Sequence, residues 1–555
     1  MSRSFGFFLV LGIVIFVSGF LPLVAVNYQY PTQTFTTSTT DGVQITYDVT
    51  MNPSGQKTAP LAILIHGFSG NRVMMRMLAF ALADRGFVCA SLDLRGHGSS
   101  EGMMGNSSYF NNDVKAVIQS LQSKGIGDTS RIVLVGHSMG GGVALRLGSQ
   151  LPSVVATVGV APVSSPDWVN TTYPKNLLLV ISTGDTLIDA NTVEQTFYKS
   201  MGATGLPNQL YTIDSTTREL YIVQGPSHFD ILYNAIAINQ IVGWVTNAVF
   251  GAGQLSRISP DVINIEVYVS LLGGITMIIF AVAMMGNRLS QEFSPKTHKK
   301  SDLKNLAKTG VKAILVAGSL GSLVTMAVAI VLMLVVPLFL ADFVAAAFLG
   351  NAIIIGYVAR RTLKHGKKDF SYFRFIKESI RSPSLKIDAV LGIAEATLFL
   401  VVIDLTMGVH ATSTFSTASI RLLLLPLFTL IYAFVFVFYE SFFKGVARPM
   451  MGDGAKRMLY SVIYELVVVF SALLLEILIT ATLLGPFMGM GSLTSFIGLG
   501  INLILIPLSI AVVSGEFFYE RTGGWIAQII IGATVFATMS IVFSPVLNFF
   551  QASMG

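Results

Sequence analysis

Residues 131–141 read RIVLVGHSMGG, an apolar run that ends in Gly136-His137-Ser138-Met139-Gly140-Gly141. A run of Ile, Val and Leu this short suits a buried strand and is too short for a helix. Glycines on both sides of Ser138 permit a sharp strand-to-helix turn, because larger side chains would clash inside the elbow. Such a turn presents the Ser138 hydroxyl at the C-terminal edge of a sheet and at the start of a helix. Ser138 is the candidate nucleophile. The bland alternative, a Gly-rich turn with an idle serine, is weighed by what surrounds the motif.

Upstream, the strand-like run LAILI (residues 61–65) ends in His66-Gly67-Phe68. A strand ending in His-Gly turns a backbone N–H toward the nucleophile. The N–H groups of Phe68 and Met139 are therefore the expected oxyanion hole, donors aimed where charge develops on a substrate oxygen. Asp93-Leu94-Arg95-Gly96-His97-Gly98 closes another strand and reads as loop architecture at the mouth of the site. Of seven histidines, His298, His365 and His410 lie in the apolar C-terminal portion, and His66, His97 and His137 precede Ser138. His228, in GPSHFD, is left as the base, since in this arrangement the order is Ser, acid, His. The acid lies between them. Asp185 ends the strand NLLLVIST after one glycine, where it is placed to orient the imidazole; Asp189 is the alternative.

Around these motifs the chain alternates short strand-like runs with helix-like ones. APLAILIHG, GFVCASLDLRG, VVATVGVAP, NLLLVISTGD and ELYIVQGPSH are separated by stretches such as 72–85, 113–123 and 143–150. The fold class is therefore α/β, with a mostly parallel sheet covered on both faces. Cys89, the single cysteine, reads as a small hydrophobe in a strand and allows no intramolecular disulfide.

HGFSG, DLRGHGSSEG, GHSMGG, GDTLI and SHFD together resemble the monoacylglycerol-lipase and serine-aminopeptidase branch of the α/β-hydrolases, over residues of about 40–245. The resemblance implies attack by Ser138, an acyl-enzyme, and water-driven release assisted by His228. Members of this branch usually carry a helical cap between the strand ending near Ala161 and the one starting near Asn176. Here that link is too short to hold one.

Composition excludes a wholly soluble chain. Of 555 residues, 52% are hydrophobic and only 12% charged, and the mean hydropathy is +0.68. The net charge of +6 does not signal nucleic acid, because residues 27–250 hold 12 basic against 14 acidic side chains. Residues 1–27 form a first span or a cleaved signal, 28–250 the hydrolase domain, and 260–555 a membrane domain of about eight transmembrane helices. Their runs fall near 263–286, 312–336, 338–358, 387–408, 420–442, 458–483, 493–515 and 524–546. Basic residues cluster in loops 287–311, 359–386 and 443–457 and are scarce in the alternate ones. By the positive-inside rule the N-terminus is cytoplasmic, and the hydrolase domain and C-terminus are extracytoplasmic. Sequons at Asn106 and Asn170 agree with export.

The expected activity is hydrolysis of a carboxylic ester, lipid or other acyl substrate, by a multi-pass protein of the cell membrane. No cofactor or metal is expected. The partners are the bilayer and a small-molecule or lipid ester, and the oligomeric state is left open. A serine peptidase or aminopeptidase is a second reading. A transporter or receptor whose hydrolase-like domain binds ligand is a third. Within the spans, Asp404, Arg421 and Glu476 fall on the hydrolase side, as helix–helix ion pairs or as a polar site.

Overall fold

A computed structural model describes all residues except 1, 57, 106–107, 215, 290–301, 337, 366–369, 381–384, 409–418, 453–456, 489–507, 521–522 and 547–555. The chain forms two compact units. One comprises Val17–Leu271 with 403–419 and 545–555; the other comprises 1–16, 272–402 and 420–544.

The first unit is built on a nine-stranded sheet in the order β1-β2-β4-β3-β5-β6-β7-β9-β8. Its strands are β1 (Thr32–Ser38), β2 (Gln44–Thr50), β3 (Pro60–Ile65), β4 (Val88–Leu92), β5 (Asp128–His137), β6 (Val154–Val160), β7 (Leu177–Ser182), β8 (Tyr211–Ile213) and β9 (Thr216–Val223). From β4 through β9 the pairings are parallel. β2 joins β4 antiparallel, as do β1 to β2 and β8 to β9. The sheet is thus mostly parallel, as the alternation of strands and helices requires, but its two edges are hairpins that the apolar runs do not announce.

β3 and β7 are buried at every residue, which is why they read as continuous apolar runs instead of alternating ones. One core cluster joins α2 (Arg76–Ala83) and α6 (Ala235–Phe250) to one sheet face. A second packs α3 (Ser108–Lys124) and α4 (Met139–Gly148) on the other. Cys89 on β4 is fully buried, and burial pushes its thiol pKa well up. Between β6 and β7 there is one short turn of helix, Pro166–Trp168.

Among the described residues, seven helices are long and apolar enough to cross a membrane: Ser4–Gln29, Pro260–Val282, Leu303–Leu332, Leu340–Lys364, Leu385–Met407, Arg421–Met450 and Arg457–Thr480. They belong to helices α1 (Ser2–Gln29), α7 (Pro260–Leu289), α8 (Leu303–Val335), α9 (Phe339–Lys364), α11 (Leu385–Met407), α12 (Ser419–Phe442, continued by short helical turns to Met450) and α13 (Arg457–Met488), with the shorter α10 (Tyr372–Ile380) between α9 and α11 in the chain. Two remain shorter. Residues 508–520 are helical, while most of the expected run 493–515 lies outside the described residues. The last run appears as a helix of 17 residues, Ile526–Val542.

Candidate active site

The turn after β5 is as tight as its glycines require. A Cβ on Gly136 would sit 2.0 Å from the Gly140 carbonyl oxygen, and one on Gly140 would sit 2.4 Å from that of Ile65. Ser138 itself takes φ 53° and ψ −117°, a strained region for a residue with a side chain, of the kind held in place at functional sites. Its backbone is fixed from both sides. The Ser138 amide donates to Val160 O at 2.9 Å, and its carbonyl accepts from Val163 N at 2.9 Å. Met139 opens α4, so its N–H is one of the donors that a helix leaves unused at its N-terminus.

Gly67 lies against this elbow. A Cβ there would come within 2.9 Å of the Ser138 Cβ and 2.8 Å of His137 Nδ1. The loop carrying the Phe68 N–H can approach Ser138 only because residue 67 lacks a side chain. Phe68, Ser138 and Met139 are half-buried.

β7 and β9 are neighbours, and the loops that leave them meet. Gly184 is so close to Gly225 that a Cβ would lie 2.3 Å from its oxygen, and the Ser182 hydroxyl donates to Pro226 O. This contact brings Asp185 to His228. His228 Nδ1 and Asp185 Oδ2 are 2.7 Å apart, with side chains only 6% and 3% exposed. Burial alone would raise the Asp185 pKa. The hydrogen bond and charge of His228, with the Leu187 and Ile188 amides, outweigh it and hold the carboxyl below its usual range. Asp189, the alternative acid, instead caps α5 (Ala190–Met201) through the Asn191 and Thr192 amides.

His137 is wholly buried, and its Nε2 donates to the His228 carbonyl at 2.9 Å. That fixes the His228 backbone. Burial, with repulsion from His228, lowers the His137 pKa from 6.5 to about 3. The unfolded chain therefore takes up a proton near pH 6.5 that the folded protein refuses until about pH 3. Stability from this group is complete above the unfolded value and declines as pH falls through that window, by at most about 1.4 kcal/mol per unit. The apparent melting midpoint should drop between pH 7 and 5. His137→Gln, which keeps a donor but does not titrate, should show a shallower slope by scanning fluorimetry; identical slopes would contradict this account.

Beside the site lies an ion network that the sequence did not disclose. Arg72, buried, bonds Asp48 at 2.9 Å and also Asp93. Asp93 accepts from the Arg72 and Ser99 amides at 2.6 and 2.7 Å. Arg95 pairs with Asp113 and Asp41 at 2.7 and 2.6 Å. The Asp93–Gly98 loop is thus architectural, as its sequence suggested. Removing one partner of such a pair typically costs about 3–5 kcal/mol, because a buried charge is left uncompensated. The two arginines, Arg72 and Arg76, in the otherwise apolar stretch 72–83 were the available signal.

The span residues are divided. Asp404 belongs to the sheet-bearing unit, whereas Arg421 and Glu476, both buried, belong to the helical one. Glu476 accepts from Thr325 and from Asn351 Nδ2. A further buried cluster of the helical unit, missed in the sequence, joins Lys444 and Arg448 to Glu516.

The sheet-bearing unit, with its strand order and serine elbow, is an α/β-hydrolase domain. Its residues 56–200 match the family model described as serine aminopeptidase, S33. Cutinase 2 of Thermobifida cellulosilytica is 27% identical over 171 residues, which is 30% of this chain and 62% of that protein. Cutinase cut1 of Thermobifida fusca is 27% identical over 171 residues, 51% of its length. The chain therefore spans about half to three-fifths of the length of the cutinases it matches. Among solved structures, the esterase Pf2001 of Pyrococcus furiosus is 19% identical, with a TM-score of 0.33, covering 40% of this chain and 94% of that one.

Proposed function

We propose that this chain is a membrane-bound serine hydrolase that cleaves a carboxylic ester on the extracytoplasmic side. The observation that carries the reading is the 2.7 Å contact of His228 with Asp185, on the same sheet edge as the Ser138 elbow. With Nδ1–H committed to Asp185, Nε2 is the nitrogen free to act as base. It takes the Ser138 proton as Oγ attacks the ester carbonyl. The oxyanion is met by the Phe68 and Met139 N–H groups. Collapse breaks the C–O bond, and His228 returns the proton to the leaving alcohol. Water then adds to the acyl-enzyme by the same path and releases the acid.

The sidedness rests on the distribution of basic loops, and the ester preference on the cutinases among its relatives. The description of the matching family supports a second reading, cleavage of an aminoacyl amide, since the same groups serve amides. Detergent-solubilised full-length protein, offered short and long acyl esters and aminoacyl amides, separates the two. Ester turnover well above amide turnover is expected. Amide turnover exceeding ester turnover would reverse the assignment, and no fluorophosphonate labelling at all would favour a ligand-binding domain.

A further inference from the structure

The sheet-bearing unit is not hydrolase sequence alone. Within it lie the end of α1, the start of α7, the end of α11, and residues 545–546. Leu23 of α1 and Ile263 and Val267 of α7 are buried in the same core as α2 and α6, with Met407 of α11 packed against it. Four hydrogen bonds accompany this packing, two of them just beyond the loops that carry Phe68 and His228 and two within the loop after β4. Arg76, five residues past the Gly67–Asn71 loop, donates to Gly408 O at 2.6 Å. Tyr233, five residues past His228, accepts through its carbonyl from Asn264 Nδ2 at 2.9 Å. Val546 is inserted into the loop after β4, donating to Gly96 O at 2.8 Å and accepting from Met104 N at 2.7 Å.

The loops after β3, β4 and β9 are those of the sheet's C-terminal edge, where Ser138 stands. The end of α11, the first turns of α7 and the 545–546 segment therefore lie beside loops of the site's edge. Near the same edge, Met103, Val163 and Leu187 remain 45%, 45% and 37% exposed. Val163 belongs to the link between β6 and β7, which holds only one short turn of helix.

From this arrangement we infer that the site takes an uncharged long-chain acyl ester directly from the bilayer in which the protein sits, the span ends serving as the wall that a cap would otherwise build. The inference rests on the reading of Ser138 as nucleophile. Its physical basis is that drawing a long acyl chain into water is unfavourable at every methylene. A site fixed at the bilayer surface with an apolar rim avoids that transfer.

The test uses full-length protein reconstituted in phosphatidylcholine vesicles. In one preparation dioleoylglycerol shares the vesicle with the protein; in the other it is supplied in separate vesicles at equal total lipid. p-Nitrophenyl butyrate, which is water-soluble, is assayed in both. Equal butyrate hydrolysis is expected, with oleate release at least about tenfold faster when lipid and protein share a bilayer. Butyrate hydrolysis with equal oleate release in the two preparations, or none in either, would overturn the inference and leave the catalytic reading intact. Absence of butyrate hydrolysis and of fluorophosphonate labelling would reject the catalytic reading itself. Val546→Pro, which removes the donor to Gly96, should lower the ratio of oleate to butyrate turnover by about tenfold in the shared bilayer. A parallel fall of both rates would show that the bridge only holds the loop, and would overturn the role given to it.

Discussion

Ser138→Ala should abolish labelling by a fluorophosphonate and reduce ester turnover by about 10⁴-fold or more. The expectation follows from the elbow. Ser138 stands where the strand stops and the helix begins, its backbone held by Val160 and Val163. Alanine fits the same backbone and leaves the oxyanion donors in place, so the loss should be confined to chemistry. The variant should melt close to the parent and still bind substrate. Undiminished labelling of Ser138→Ala would place the nucleophile elsewhere and remove the basis of the mechanism.

Asp185→Asn should cost about 10⁴-fold in kcat while leaving the fold intact. The reason is the tautomer. Asp185 accepts from His228 Nδ1 through Oδ2, while Oδ1 takes the Leu187 and Ile188 amides. Those two amides orient an asparagine with its oxygen toward them, so its NH₂ faces Nδ1. The imidazole must then carry its proton on Nε2, where a base is needed. Asp189→Asn, altering a carboxylate that caps α5 on the surface, should change kcat by less than about threefold, as surface substitutions do. Steady-state kinetics on one soluble ester compares the pair. Equal losses, or a larger one at Asp189, would refute the assignment of the acid.

The candidate site was legible because its backbone geometry forces local sequence. A strained serine turn excludes side chains at Gly136 and Gly140, a close-approaching loop excludes one at Gly67, and each exclusion leaves a glycine in a fixed place. The order of serine, acid and histidine did the rest. The edges of the sheet were less legible. TQTFTTS lacks an apolar run because β1 is largely exposed, and QITYDVT lacks one because β2, though buried, carries the polar Thr46, Asp48 and Thr50. β8 spans three residues, too few to show a period. The partners of Arg72 lie 21 and 24 residues away, a distance at which local pattern carries no information. The union of Gly408 and Val546 with the sheet-bearing unit is more remote still, and only tertiary structure discloses it.

Cys89, buried in β4 with its thiol kept protonated, has a practical consequence. Folded protein should be inert to maleimides, so the natural chain already serves as a thiol-silent background for site-directed labelling. A single surface cysteine, introduced at Thr183 or at Leu303, would then report from which face of a sealed vesicle a membrane-impermeant reagent reaches it.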